Sequence, residues 1–308
     1  MKKPIFNTAV AVAIAIAAVF CIGCGSGGGG NKPASLMGQW VDVNPKPEDS
    51  EEFELLSDGT AMFKKEGMSV SGTWNVVDKR FIVTVNMGGT SMSEAYNYKL
   101  SGYELTLVND KGDTSTCVKK EKLKEFKEKR IAAATSTFKD SRDGKSYKVV
   151  KIGGQSWFAE NLNYAAEGSK CYENSDDNCA KYGRLYDWAT AMKACPAGFH
   201  LPTNDEWTTL TDAVGGKDIA GTKLKSTAGW KEDSGTNDYG FSALPGGDGS
   251  NDGTFEDTGE TGLWWSATVT DSDGDAAWGW QVEYNREKVY RNGYYKTKLF
   301  SSVRCLQD

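Results

Sequence analysis

At 308 residues, with 36 Lys and Arg against 42 Asp and Glu, the chain carries a formal net charge of −6. Its length admits two domains, and its acidic balance excludes nucleic acid as a partner, because a polyphosphate needs a cationic face to bind. The 35 glycines and 10 tryptophans point to many turns and large aromatic anchors rather than long helices.

The first segment has Lys2 and Lys3, an apolar run from Ala9 to Phe20, and then Cys21-Ile22-Gly23-Cys24. A basic start, a short apolar core and a small residue before cysteine resemble a bacterial lipoprotein signal peptide. The resemblance implies that residues 1–23 are removed and that Cys24 becomes the lipidated N-terminus. Cys21 departs from the aliphatic residue usual at its position, and ordinary secretion is the alternative. The apolar run falls short of the ~20 residues that span a bilayer. Gly25, not Asp, follows the cysteine, which implies an outer-membrane lipoprotein attached to the membrane through its lipid anchor. Residues 24–35 read as the lipidated Cys with a Gly-rich tether, and at ~5.5 Å × √n the stretch after Cys24 reaches roughly 18 Å.

Residues 36–118 alternate strand-like runs with turn signals. The runs are Gln39–Val43, Glu52–Leu56, Ala61–Phe63, Ser69–Trp74, Phe81–Val85, Tyr96–Leu100, Tyr103–Leu107 and Thr114–Cys117. Short strands at this even spacing predict an all-β antiparallel barrel or sandwich. The opening Leu36-Met37-Gly38-Gln39-Trp40, the Asp58-Gly59 hairpin and the late Tyr98-Lys99-Leu100 with Leu105-Thr106-Leu107 resemble small lipocalin-like domains of bacterial lipoproteins. Such a barrel either encloses an apolar ligand or fills its interior with its own side chains. Residues 119–137 read as a charged helical linker. From Lys119 to Arg130 it holds seven basic residues and three glutamates, with Leu123 and Phe126 three apart. A solvated spacer and a stretch lying against anionic lipid are both consistent with it.

From residue 138 the composition changes. In order come Tyr147–Ile152, Gln155–Tyr164, Tyr182–Ala191, the stretch Cys195-Pro196-Ala197-Gly198-Phe199-His200-Leu201-Pro202-Thr203-Asn204-Asp205-Glu206-Trp207, then Phe241–Gly247, Trp264–Ala267 and Ser302–Cys305. This succession over 138–308 resembles the Fibrobacter succinogenes major paralogous domain, a family of secreted and surface proteins. Gly198–Thr203 with Glu206-Trp207 and the closing Val303-Arg304-Cys305 is similar, more distantly, to the formylglycine-generating-enzyme and C-type-lectin-like folds. The resemblance implies an α+β domain with two helices, a central antiparallel sheet and long loops. The residues agree: Leu185, Trp188, Ala189 and Met192 have the spacing of one helix face. Thr203 with Glu206 forms a capping-box pattern ahead of Trp207, Leu210 and Val214. Half of the thirty residues from Asp233 to Gly262 are Asp, Asn or Gly, a composition that reads as loop.

Cysteine usage fits export. With Cys21 removed, Cys24 lipidated and Cys117 by itself in the first module, Cys171, Cys179, Cys195 and Cys305 remain, which allows three pairings. The expected pairs are Cys171–Cys179, closing a small polar loop, and Cys195–Cys305, tying the helix entrance to the last strand. Zinc is disfavoured because the spacings are not CxxC and His200 is the only histidine.

No catalytic constellation emerges. His200 lies between Phe199 and Leu201 and reads as structural, and no nucleophile-elbow sequence accompanies it. Formylglycine-generating activity, which needs reactive cysteines, is not carried over. The acidic pattern says more: from Glu232 to Glu283 there are twelve Asp or Glu and no Lys or Arg. Asp248 and Asp252 open a partial EF-hand pattern, and Asp271, Asp273 and Asp275 form a second acidic turn. Such oxygen-rich loops suit Ca²⁺, although Gly259 stands where the pattern needs a bidentate glutamate. The resulting reading is a non-enzymatic cell-surface lipoprotein that binds or adheres, with polysaccharide as a candidate ligand. Trp230, Trp264, Trp265, Trp278 or Trp280 would supply the platforms. The alternatives are a carboxylate-dependent hydrolase or modifying enzyme, and a structural envelope protein whose partners are other surface proteins.

Overall fold

The computed structural model describes residues 32–43, 52–65, 68–87, 90–232, 235–270 and 274–308. The expected signal peptide, Cys24, most of the tether, Asp271 and Asp273 lie outside them. The chain divides into two compact units, Met1–Phe126 and Lys127–Asp308, and no helix among the described residues is long and apolar enough to cross a membrane.

The first unit is a closed antiparallel barrel. Its strands are β1 (Gly38–Asp42), β2 (Glu52–Leu55), β3 (Thr60–Lys65), β4 (Met68–Val77), β5 (Arg80–Met87), β6 (Thr90–Ser101), β7 (Glu104–Val108) and β8 (Thr114–Lys119). They follow one another in sequence order, and β1 closes on β8 with Trp40 opposite Lys119 and Asp42 opposite Cys117. Side chains alternate between the two faces of a strand, so Trp40, Phe53 and Leu55, Ala61 and Phe63, Trp74, and Leu105 and Leu107 all point inward and are buried. Their rings meet in two short chains. Trp40, Phe53 and Phe63 have centroids 6.4 and 6.1 Å apart, and Trp74, Phe81 and Tyr96 follow at 6.2 and 6.4 Å. A short 3₁₀ turn at Ala34–Leu36 adds the buried Leu36, whose carbonyl accepts the Trp40 Nε1–H at 2.8 Å. The interior is thus occupied by the barrel's own side chains, as expected at this strand number.

Helix α1 (Leu123–Ala134) runs directly into β9 (Thr135–Lys139), so a strand occupies residues expected to be linker. The solvated-spacer expectation needs correction from Lys127 onward. Lys127 Nζ lies 2.5 Å from the buried Asp238 carboxylate, and Arg130 donates to the Asp238 carbonyl at 2.7 Å. Lys223 holds the other Asp238 oxygen at 2.9 Å. Burial alone would raise the pKa of Asp238, but the two lysines outweigh it and hold the carboxyl below its ordinary value.

The second unit has two sheets. The first comprises β9, β10 (Ser146–Ile152), β11 (Gln155–Phe158), β12 (Phe199–His200) and β19 (Leu306–Gln307), in the order β12-β19-β11-β10-β9. The second comprises β13 (Gly246–Ser250), β14 (Phe255–Thr258), β15 (Thr261–Val269), β16 (Ala276–Glu283) and β17 (Val289–Tyr295), in the order β14-β13-β15-β16-β17, with β18 (Leu299–Phe300) paired to β13. Helices α2 (Asp176–Tyr182), α3 (Trp188–Ala194), α4 (Asn204–Ala213) and α5 (Lys217–Leu224) complete it, more than the two helices expected. Trp207 and Leu210 of α4 and Leu224 of α5 share one core with Val150, Trp157, Trp264 and Trp280 from both sheets.

Two local expectations fail for identifiable reasons. The predicted helix face Leu185-Trp188-Ala189-Met192 is out of phase, because the helix starts only at Trp188, where the Asp187 carboxylate accepts the Thr190 N–H at 2.7 Å. Ala191 and Ala194 are the buried residues, and Met192 is exposed. The glycine-rich stretch 233–262, expected as loop, contains β13 and β14 and enters β15. At Gly247 the backbone has φ +63°, and a Cβ would sit 2.3 Å from the Glu256 carbonyl oxygen. The glycine is there for close strand approach, not for flexibility.

Candidate functional site

The structure contains the Cys171–Cys179 and Cys195–Cys305 bonds, and Cys117 is buried in the barrel. Beside the second bond, α4 starts with the capping box: Thr203 Oγ1 accepts the Glu206 N–H, and Glu206 Oε2 accepts the Thr203 N–H at 2.7 Å. The other Glu206 oxygen lies 2.9 Å from His200 Nε2, and Asp308 Oδ1 lies 2.7 Å from His200 Nδ1. Burial alone would lower the imidazole pKa, but the bonds and charges of Asp308 and Glu206 outweigh it and raise it. Both ring nitrogens are thus committed to carboxylates that tie β12, α4 and the residue after β19 together.

The acidic residues separate into different roles. Asp252 Oδ1 accepts the Thr254 N–H at 3.0 Å and its hydroxyl at 2.8 Å, which closes a turn and lowers the Asp252 pKa. Asp248 is half-buried on β13 opposite Glu256, and burial, with Asp257 and Glu256 adding repulsion, pushes its carboxyl up to about 6. Asp275 is exposed, and its carbonyl accepts the Lys296 N–H at 3.0 Å. Among the described residues no three His, Cys, Asp or Glu side chains converge as a metal set. A turn contact occupies Asp252, and the strand pairing places Asp248 beside Glu256. Asp271 and Asp273 lie outside the described residues.

Of the five tryptophans considered as platforms, Trp230, Trp264, Trp265 and Trp280 are buried. Trp264 Nε1–H donates to Asn161 Oδ1 at 2.8 Å and Trp280 Nε1–H to Asn204 Oδ1 at 2.9 Å, so these two serve as hydrogen-bonded core. Trp278 alone of the five is partly exposed. It lies on β16 opposite Gly293 of β17, which sets no side chain against its ring, and the Arg291 guanidinium lies 4.4 Å from its ring centroid. The ladder register puts Tyr295 opposite Ala276, on the same strand face as Trp278, and Tyr295 is 61% exposed.

Sequence reasoning missed the group behind the loop 237–242. Arg304 is fully buried and donates from Nε to Asn161 Oδ1 at 2.8 Å and from its terminal nitrogens to the carbonyls of Phe158, Phe241 and Ser242 at 3.0, 2.5 and 2.7 Å. Burial depresses its pKa to about 9, with Glu160 the one opposing charge. Every acceptor in contact is neutral, so Arg304 ties three segments together rather than forming an ion pair. The loop it holds contains two non-glycine residues in the left-handed region, Asn237 at φ +47° and Ser242 at φ +54°. Their side chains and backbone bond each other at 2.9 and 2.8 Å. In the sequence Arg304 is one residue of the closing Val303-Arg304-Cys305, and nothing beside it there signals its carbonyl contacts.

Residues 150–307 match the model of the Fibrobacter succinogenes major domain, just over half of the chain. No curated protein and no solved structure matches it.

Proposed function

Because the chain belongs to the Fibrobacter succinogenes major domain family, we propose that it is a non-catalytic binding protein of the cell surface with polysaccharide as its ligand. In this reading Cys24 carries a lipid that holds the protein at the outer membrane. The first unit is a lipocalin-like barrel that serves as a spacer, and the second is a C-type-lectin-like domain that presents the ligand site. The carrying observation is the β16–β17 face. An aromatic ring offers a flat apolar surface to the C–H face of a sugar, and a guanidinium beside it supplies planar donors for hydroxyls. Trp278, Arg291 and Tyr295 provide this combination on one exposed strand face.

The test is retention on a panel of immobilised polysaccharides. Wild-type chain is expected to be retained by at least one, and Trp278→Ala/Tyr295→Ala with an unchanged melting temperature to lose that retention by about tenfold or more, the scale of a hot-spot aromatic. Equal retention of the double variant removes the platform. Address is tested separately: Cys24→Ser should abolish fatty-acid labelling and release the protein from membranes.

One observation favours a second reading. Asp248, raised to about 6 next to two further carboxylates, has the character of a general acid. A hydrolase using it would release soluble product from the retained polysaccharide, and Asp248→Asn would stop that release without affecting retention.

A further inference from the structure

A cavity of about 570 Å³ opens between α1, residues of β9 and β10, the stretch after β11 and the loop that Arg304 holds, a size typical of small-ligand sites. Much of its lining is aliphatic: Ile131, Ala132, Ala159 and Leu244. Three charged residues stand in the same lining, Lys148 with Glu160 and, on α1, Glu128, so that it offers both an ammonium and carboxylates. Glu160 Oε1 accepts the backbone N–H of Lys148 at 2.9 Å, which fixes the carboxylate at the residue that bears the ammonium. That contact is to the Lys148 backbone, so it leaves the Lys148 ammonium itself available to a ligand of the cleft.

The opposite wall is prepared in advance. Asn237 and Ser242 both line the cavity and both hold left-handed backbone that ordinary L-residues adopt at a cost. Arg304 pins the loop from behind through the Phe241 and Ser242 carbonyls, and the Lys127 and Lys223 ion pairs pin it at Asp238. Gly240 approaches α1 so closely that a Cβ would sit 2.7 Å from Ile131. A wall fixed at this many points loses little freedom when a ligand arrives.

We propose that this cleft, separate from the β16–β17 aromatic face, binds a short aliphatic peptide with free termini. Its ammonium group meets Glu160, its carboxylate meets Lys148, and its side chains rest on Ile131, Ala132, Ala159 and Leu244. A ligand entering an apolar cleft strips water from both charged groups, and only a ligand with both charges restores both interactions through charge-assisted hydrogen bonds. A singly charged or neutral ligand leaves one desolvated charge behind.

Calorimetric titration of the full chain with leucyl-leucine, and with its N-acetylated, C-amidated form, tests this. Saturable binding of the free dipeptide is expected, with affinity for the blocked form lower by about tenfold or more, as the loss of a desolvated charge contact implies. Ala132→Trp, at an exposed helix position, should fill the cleft and lower dipeptide affinity by about the same factor, with an unchanged melting temperature showing that the fold is kept. Lys148→Met, also at an exposed position, gives the same readout should the tryptophan disturb α1. The proposal is overturned if the free dipeptide shows no saturable binding, if the blocked form binds equally well, or if a folded Ala132→Trp or Lys148→Met variant binds as the wild type does.

Discussion

In the barrel, alternate residues of most strands point at one apolar interior, and the ring chains through Trp40 and Trp74 fill it by packing. In the second unit the core is equally apolar, yet its segments are fastened by particular ties: Cys195–Cys305, the Arg304 carbonyl contacts, Asn161 between Trp264 and Arg304, and Asp238 between two lysines. A repeating pattern needs few ties, because each strand's pairing is specified by its neighbours. Irregular segments have no such register, so individual polar contacts must specify where each one goes. Stability in the first unit should therefore follow buried volume, whereas in the second it should follow the integrity of a few bonds.

The largest expected effect comes from the disulfides. Replacing Cys195 and Cys305 by serine opens a loop of sequence separation 110, which chain-entropy estimates value at about 4.7 kcal/mol. Opening Cys171–Cys179, of separation 8, should cost roughly 2.5 kcal/mol on the same relation. Denaturant unfolding followed by residue-resolved hydrogen exchange should show protection lost in 127–308 and kept in the barrel. Protection lost equally in both units would break the comparison.

Core truncation should act in the opposite sense. Trp74→Ala removes a ring that is 2% exposed and lies tilted against Phe81 at 6.2 Å, with an expected loss of about 3–5 kcal/mol. That loss should appear in barrel amides and leave the second unit's exchange unchanged. A smaller, sharper contrast lies within the second unit. Gly247→Ala meets both a left-handed φ and the Glu256 carbonyl, whereas Gly253→Ala, at φ +93°, meets no heavy atom within 4 Å. The first should lower stability by roughly 2–3 kcal/mol through strain and displaced backbone, and the second by about 1 kcal/mol. Equal losses at the two sites would mean that β13 does not pack as closely as described.

Much of this was legible in the sequence. The barrel strands could be read because apolar and polar residues alternate, and the start of α4 could be read because Thr203 and Glu206 have a fixed spacing. The turn at Asp78-Lys79, where both residues have positive φ, was missed because neither is a glycine. Strand β13 was hidden by its composition, since Gly-Gly-Asp-Gly-Ser spells a loop until a neighbouring backbone is seen to need the space. The cleft residues come from separate segments and are ordinary in type, so only folding brings them together. Trp278 differed from the other four tryptophans only in its register position.

The smallest effect is pH-dependent. Because the folded pKa of His200 is raised, its contribution to stability is fully present below the unfolded value near 6.5 and is lost as pH rises through the folded value. Glu206, with a lowered pKa, contributes above its unfolded value near 4.3 and loses that as pH falls through its folded value. The two contributions overlap between about pH 5 and 6.5. His200 and Asp308 are both substantially exposed, so after allowance for solvent screening His200→Asn should lower the melting temperature there by an amount equivalent to a few tenths of a kcal/mol, and by less at pH 8.5. A larger loss at pH 8.5 would reverse the assigned sign.

The first sheet of the second unit has a consequence for engineering. Its entry strand β9 and its last strand β19 lie in one sheet, separated by β11 and β10. Three strand steps span roughly 14 Å, a distance that a handful of extended residues can bridge. The unit itself starts at Lys127, eight helical residues ahead of β9 and thus up to roughly 12 Å further on, so a linker that covers both distances can join its two ends, with new ends opened at the exposed turn around Asn251–Gly253, giving a circular permutant with the same ladders. The same geometry makes the unit transplantable, since a host loop needs to part by no more than both distances together to receive it.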